Sequence, residues 1–305
     1  EIGVAIHGRS FPDRAVPEDL VPDYPPAVPG CFNIGLLHTS LTGMEGHDTY
    51  APTSVAVLQT KGYDYWALGH VHQRQVVSQQ PRVVYPGNLQ GRNARETGAK
   101  GCELVTVQGA DISSQFTALE VVRWHQLELD ISALAVLDDL QPYLAAQLQA
   151  AAQTAASDVL HAVRVVLTGE SPLHALEAAQ PGTLEAAVQA AAQDVLNADV
   201  WIERVRLALR SPIDRAQLAQ GSDALAELVR SVDALAQDPV ALAELCRSTL
   251  AEVFNKMPAE VTRTVAQDAA LDELPRLDRP QDLLALLRDA EATLLVRLYP
   301  VEGAR

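Results

Sequence analysis

Cysteine, long apolar runs and positive charge are all scarce in this chain. Its three cysteines, Cys31, Cys102 and Cys246, lie far apart and form no C-x-x-C pair. That argues against a disulfide framework or a thiolate zinc site and reads as buried reduced thiols of a cytosolic protein. No apolar run approaches the roughly 18 residues of a membrane span, and no signal-peptide pattern opens the chain. A cytoplasmic protein without membrane contact is expected. Lys and Arg number 23 against 39 Asp and Glu, for a net charge of −16. Such a balance argues against a polyanion partner for the chain as a whole. The shortage is uneven, however. Residues 1–110 carry eight basic and ten acidic side chains, and residues 111–305 carry fifteen and twenty-nine. The first part is nearly neutral, so any phosphate chemistry belongs there.

What is present is ordinary for a globular protein of about two domains: 48% of the 305 residues are apolar and 20% charged. The chain opens on Glu1, followed by the strand-like Ile2-Gly3-Val4-Ala5-Ile6, and a fragment of a longer protein is expected. Five prolines between Pro17 and Gly30 predict an extended surface connection. Phe32 to Leu37 reads as a short buried strand ending at His38, Thr53 to Thr60 as a short helix, and Tyr65 to Leu68 as a second buried strand. Further strands are predicted around Gln75–Ser78, Arg82–Tyr85 and Cys102–Val107, with Pro86-Gly87-Asn88 as a turn. Beyond about residue 115 the chain becomes Ala/Leu-rich. A strand (Glu120–Asp130), a helix (Ser132–Ala156), a strand (His161–Leu167), a helix (Leu184–Leu196) and a strand (Val200–Leu209) predict a small α/β domain. From Asp223 onward the apolar spacing is helical only, as in Leu283, Leu284, Leu287, Leu294, Leu295 and Leu298.

The string Gly69-His70-Val71-His72 carries the clearest chemistry. At a strand end, two imidazoles one residue apart can reach neighbouring cations, although two hydrogen-bonded or surface histidines in a turn remain an open alternative. His38 stands in an equivalent context, ending an apolar strand before Thr39 and Ser40. Adjacent strand termini deliver side chains to one rim in α/β folds, and imidazole suits transition metals.

The segments Leu36-Leu37-His38-Thr39-Ser40-Leu41 and Ala67-Leu68-Gly69-His70-Val71-His72 resemble the last two metal motifs of calcineurin-like metallophosphoesterases. With Gly46-His47-Asp48-Thr49-Tyr50-Ala51-Pro52 and Tyr85-Pro86-Gly87-Asn88-Leu89-Gln90-Gly91-Arg92 they are similar to the YhaO subgroup of SbcD-type DNA-repair exonucleases. The resemblance implies an α/β chain. Residues 1–115 would form the C-terminal half of a metallophosphoesterase β-sandwich with flanking helices, 116–212 a small α/β capping domain, and 213–305 a helical, partner-binding region. It also implies two divalent metals, Mn2+ in the intact protein, with His38 and His70 on one and His72 on the other. Cations about 3.5–4 Å apart activate water and neutralise charge on a phosphodiester. The implied activity is metal-dependent exonuclease or endonuclease hydrolysis of DNA in repair. The implied partners are DNA and an SbcC/YhaN-type coiled-coil ATPase, and a homodimer is compatible with the resemblance.

The family pattern begins with D-x-H, G-D-x-x-D and G-N-H-D/E, none of which occurs in this sequence. The catalytic acid/base residue is therefore expected upstream and is unknown here. The three histidines lack the anionic ligands that offset metal charge, so the chain alone is expected to bind no metal tightly and to be inactive. Two other functions remain open: a nucleotide or protein phosphatase on the same scaffold, and a non-catalytic adaptor for the ATPase. His47, Arg92 and Arg95 are weaker, substrate-facing candidates, with Lys100 in the same basic cluster. His7 reads as structural or exposed, Trp201 as core, His125 as the start of the capping domain, and His161 and His174 as isolated and non-functional.

Overall fold

A computed structural model describes residues 3–11, 13, 16–41, 50–109, 111–156, 158–210, 213–256 and 279–298. The first part runs β1 (Val4–Gly8), a 3-10 turn (Val21–Asp23), β2 (Phe32–His38), α1 (Val55–Gln59), β3 (Tyr65–Gly69), β4 (Gln75–Gln79), β5 (Arg82–Tyr85), β6 (Gly101–Gln108) and β7 (Asp111–Ala118). It continues with β8 (Val122–Asp130), α2 (Leu137–Ala152), β9 (Leu160–Glu170), α3 (Leu173–Ala179), α4 (Thr183–Gln193) and β10 (Val200–Arg210). The last described elements are α5 (Arg215–Ala219), α6 (Ala224–Ala236), α7 (Pro239–Lys256) and α8 (Pro280–Leu298). The mixed α/β class expected from the sequence is what forms.

β1, β2, β3 and β5 pair in parallel, and β4 closes the sheet antiparallel to β5, in the order β1-β2-β3-β5-β4. Because the four parallel strands run the same way, Gly8, His38, Gly69 and Tyr85 all end at one edge. The pairing of β2 with β3 puts Gly35 opposite Trp66. A Cβ on Gly35 would sit 2.3 Å from the Trp66 ring. Glycine is thus what allows the indole, fully buried among Tyr24, Tyr63, Leu37, Leu58 and Leu68, to lie across the neighbouring strand. Burying each Leu or Val of this cluster is worth roughly 1.5–3 kcal/mol.

The helix expected over 53–60 starts later, because Ser54 caps it; its hydroxyl accepts from the Val57 N–H at 3.3 Å. The Pro-rich connection is less peripheral than its composition suggests. Val21 and Tyr24 are buried, Tyr24 donates to the Leu36 carbonyl at 2.7 Å, and Tyr63 donates to the Pro25 carbonyl at 2.7 Å. β7 is a strand the apolar pattern did not announce, paired with β6 over eight residues around Gly109 at φ 63°. The cysteines are free and half-buried, not fully buried.

β8, β9 and β10 form a three-stranded sheet with β9 central, and Ala162, Val163, Val165 and Leu167 of β9 are buried accordingly. By contact the chain divides into two compact units. One is Glu1–Leu127, Ala145–Val165 and Ala192–Arg204; the other is Glu128–Leu144, Val166–Ala191 and Val205–Arg305. Within the second, α8 packs on α3, α6 and α7 and buries Leu283, Leu295 and Val296. Glu291, almost fully buried, accepts from Arg215 at 2.8 Å and from Arg288 at 3.0 Å, and Asp233 bonds the same two arginines at 2.6 and 3.0 Å. This network ties α5, α6 and α8 together. Among the described residues, no helix is long and apolar enough to cross a membrane.

Candidate metal centre

Four loops leave the carboxyl edge of the five-stranded sheet, and those after β2, β3 and β5 carry the candidate chemistry. His38 is the last residue of β2, and His70 and His72 follow β3 directly. Thr39 and Ser40 explain the local path after His38. Ser40 N–H donates to the Tyr50 carbonyl at 2.7 Å, the Tyr50 N–H donates to Ser40 Oγ at 2.8 Å, and Thr39 Oγ1 donates to the Ala51 carbonyl at 2.6 Å. This clip holds Tyr50 over the site. Its ring centre lies 5.2 Å from that of His38 and 5.7 Å from that of His70, stacked on the latter at 17°. Phe11 stands 6.1 Å from His38.

The two rings of His38 and His70 are 5.3 Å apart, edge to face at 76°. Gly69 makes the approach possible, since a Cβ there would lie 3.0 Å from His38 Nδ1. His70 has φ 105°, a conformation costly for a residue with a side chain. Val71 turns into the core while His72 is exposed. Burial, reinforced by the nearby charge of His72, pushes the His38 imidazole below its ordinary value of 6.5. That favours the neutral form, which is the form that ligates metals.

Two imidazoles sharing one cation at about 2.1 Å from each donor nitrogen have ring centres roughly 4.6–5.4 Å apart. The spacing of His38 and His70 fits that arrangement, and His72 stands close enough to influence His38 electrostatically. The set fits only half of a two-metal site. Among the described residues, no three His, Cys, Asp or Glu side chains are placed to enclose an ion, and the donors here are all imidazole nitrogens.

Sequence reasoning missed Glu96 as part of this edge. Its Oε1 accepts from His72 Nδ1 at 2.8 Å and from Arg92 at 2.9 Å; its Oε2 accepts from Asn88 Nδ2 at 2.8 Å and the Arg92 N–H at 2.9 Å. Burial raises its carboxyl, but the bonds from Arg92, His72 and Asn88 outweigh that and hold it down at about 2. The one sequence signal was its place four residues after Arg92, the ordinary spacing of an ion pair.

Arg92 is therefore engaged at Glu96 and alongside the His72 ring, whereas Arg95 is exposed and bonds Asn93 through its backbone N–H. Lys100 points inward: it is 4% exposed, and its Nζ donates to the His72 carbonyl at 3.1 Å. Its backbone N–H donates to Glu120 Oε2 at 3.0 Å, and Glu120 pairs with buried Arg123. His47 and Asp48 lie outside the described residues. His7 is structural, bonded to Asn33 at 2.9 Å and stacked on Tyr63. Trp201 is half exposed, edge-on to Trp124, and so is not core. His161 is not isolated: its Nδ1 lies 2.9 Å from His125 Nε2. A cleft of about 630 Å3 lined by Asp64, Gln80, Arg82 and Asp111 opens at the other edge of the sheet, next to the first residues of β3 and β5, away from the histidines.

The family described as metallophosphoesterase YhaO, middle domain, matches residues 124–210. An uncharacterized metallophosphoesterase YhaO of Bacillus subtilis (strain 168) is 40% identical over 181 residues, which cover 59% of this chain and 43% of the relative. The chain thus spans less than half the length of that relative. Over these stretches the chain is similar to YhaO-type metallophosphoesterases.

Proposed function

We propose that this chain supplies the later half of a divalent-metal phosphodiesterase site that cleaves DNA in repair, with manganese as the metal. The observation that carries the reading is the convergence of His38 and His70 at one sheet edge, with His72 beside them. In this reading His38 and His70 hold one cation and His72 a second. Bound there, the cations supply an activated water and charge neutralisation at the attacking and leaving oxygens. Tyr50 packs against both rings, edge-on to His38 and stacked on His70. DNA as substrate is supported by the resemblance to SbcD-type exonucleases and by the near-neutral charge of residues 1–110 against the acidic remainder.

The test joins the chain to a preceding segment carrying the Asp-x-His, Gly-Asp-x-x-Asp and Gly-Asn-His motifs and measures manganese-dependent cleavage of linear DNA. H38A, H70A and H72A should each abolish it. Hydrolysis of bis-p-nitrophenyl phosphate without DNA cleavage would favour a phosphatase instead. The same reading extends to a coiled-coil ATPase as partner, docking on α8, where Leu284, Leu294 and Leu298 stay partly exposed. Undiminished ATPase capture by a chain ending at Arg279 would defeat that docking.

A further inference from the structure

The hydrogen bonds around Glu96 assign a proton. Both of its oxygens are occupied by donors, and its side chain is only 12% exposed. A carboxylate so placed can only accept, which points to hydrogen on the His72 nitrogen 2.8 Å from Oε1. Arg92 Nη2 lies 2.9 Å from that Nδ1 and 3.5 Å from Nε2, but as a donor it bonds Glu96 Oε1. In the neutral ring, hydrogen on Nδ1 leaves the lone pair on Nε2. An imidazole exposed to water prefers the opposite tautomer, so the partner sets the choice.

The backbone of His72 is held as firmly as its ring. Lys100 Nζ donates to the His72 carbonyl at 3.1 Å. Gly87, at φ 78°, lets the same carbonyl pack where a Cβ would meet it at 2.9 Å. The loop after β5 thus grips His72 by ring, carbonyl and packing, although Glu96 is 24 residues away.

We propose that Glu96 is a positioning residue: it accepts the hydrogen bond from His72 Nδ1–H and so fixes Nε2 as a lone-pair donor at the carboxyl edge of the sheet. It acts through the histidine and does not itself touch the reacting atoms. The inference rests on the metal-site reading only for its purpose; the tautomer is a property of the chain alone. Where a carboxylate backs a ligating histidine in this way, its removal typically weakens metal affinity by roughly 10–100-fold.

Long-range proton–nitrogen correlation spectra of the histidine-labelled chain, without metal and above neutral pH, test it. The wild type should show His72 as the Nδ1–H tautomer. E96A should lose that signature and gain the Nε2–H form, while R92A retains it. His72 in the Nε2–H form in the wild type overturns the proposal whether or not the variant folds, and so does an unchanged tautomer in a folded E96A. Added manganese separates the two claims. An Nδ1–H signature without manganese broadening at His38, His70 and His72 leaves Glu96 in its role while removing the metal reading. Broadening at those rings with an Nε2–H tautomer does the reverse.

Discussion

Glu120 offers the sharpest test of how the edge is supported. Lys100, Glu120 and Arg123 are 4, 5 and 6% exposed, three charges in one buried chain. Glu120 Oε1 accepts from Arg123 Nε at 2.7 Å, and Oε2 accepts from the Lys100 backbone N–H at 3.0 Å. E120A leaves the Arg123 guanidinium buried without its counter-charge and the Lys100 N–H without an acceptor. Breaking a buried pair from one side costs about 3–5 kcal/mol. At a urea dependence of about 2 kcal/mol per molar, that lowers the midpoint of unfolding by roughly 1.5–2.5 M. Replacing both partners with apolar side chains, as in E120M/R123L, strands no charge and should recover most of the loss. Unfolding followed by circular dichroism measures the wild type and both variants. A loss below about 1 kcal/mol in E120A would refute the reasoning, because it would mean the site is wet and screened as surface pairs are.

Three further outcomes follow from particular contacts. Burial first, then the charges of His161 and Arg123, push His125 down from 6.5 to about 4; the unfolded chain therefore binds a proton that the folded chain refuses. Stability should fall by up to about 3 kcal/mol as pH drops from 6.5 to 4. H125Q should flatten that slope, and an identical slope in wild type and variant would count against the buried pair. G35A drives a methyl into the Trp66 ring; an overpacking cost of about 1–3 kcal/mol or more and an altered tryptophan emission are expected, and unchanged emission with native stability would contradict the packing. G87A, strained at φ 78° and in contact with the His72 carbonyl, should displace the His72 resonances while leaving His125 and His161 in place.

The residues that were legible in the sequence are those whose position depends on their own strand. His38 and His70 follow apolar runs that could only be buried strands, and parallel pairing then brings strand ends together without further information. Glu96 was illegible because its partner is 24 residues away, and the contact exists only because β5 inserts between β3 and β4. Lys100 read as one of a basic cluster, yet sequence carries no sign that its amine finds a carbonyl inside. The His125–His161 pair was hidden for the same reason, since each histidine stands alone on its own strand and only their pairing in the β8–β9 sheet makes them neighbours. β7 escaped notice because its polar alternation, with Ile112, Ser114, Phe116 and Thr117 partly covered, matches a loop as readily as an edge ribbon.

Manganese-induced broadening of the histidine ring resonances tests the central claim most directly. Weak binding at the sheet edge predicts selective loss of the His38, His70 and His72 signals while those of His125, His161 and His174 persist. Uniform loss across all six rings, or none at any of the first three, would contradict it.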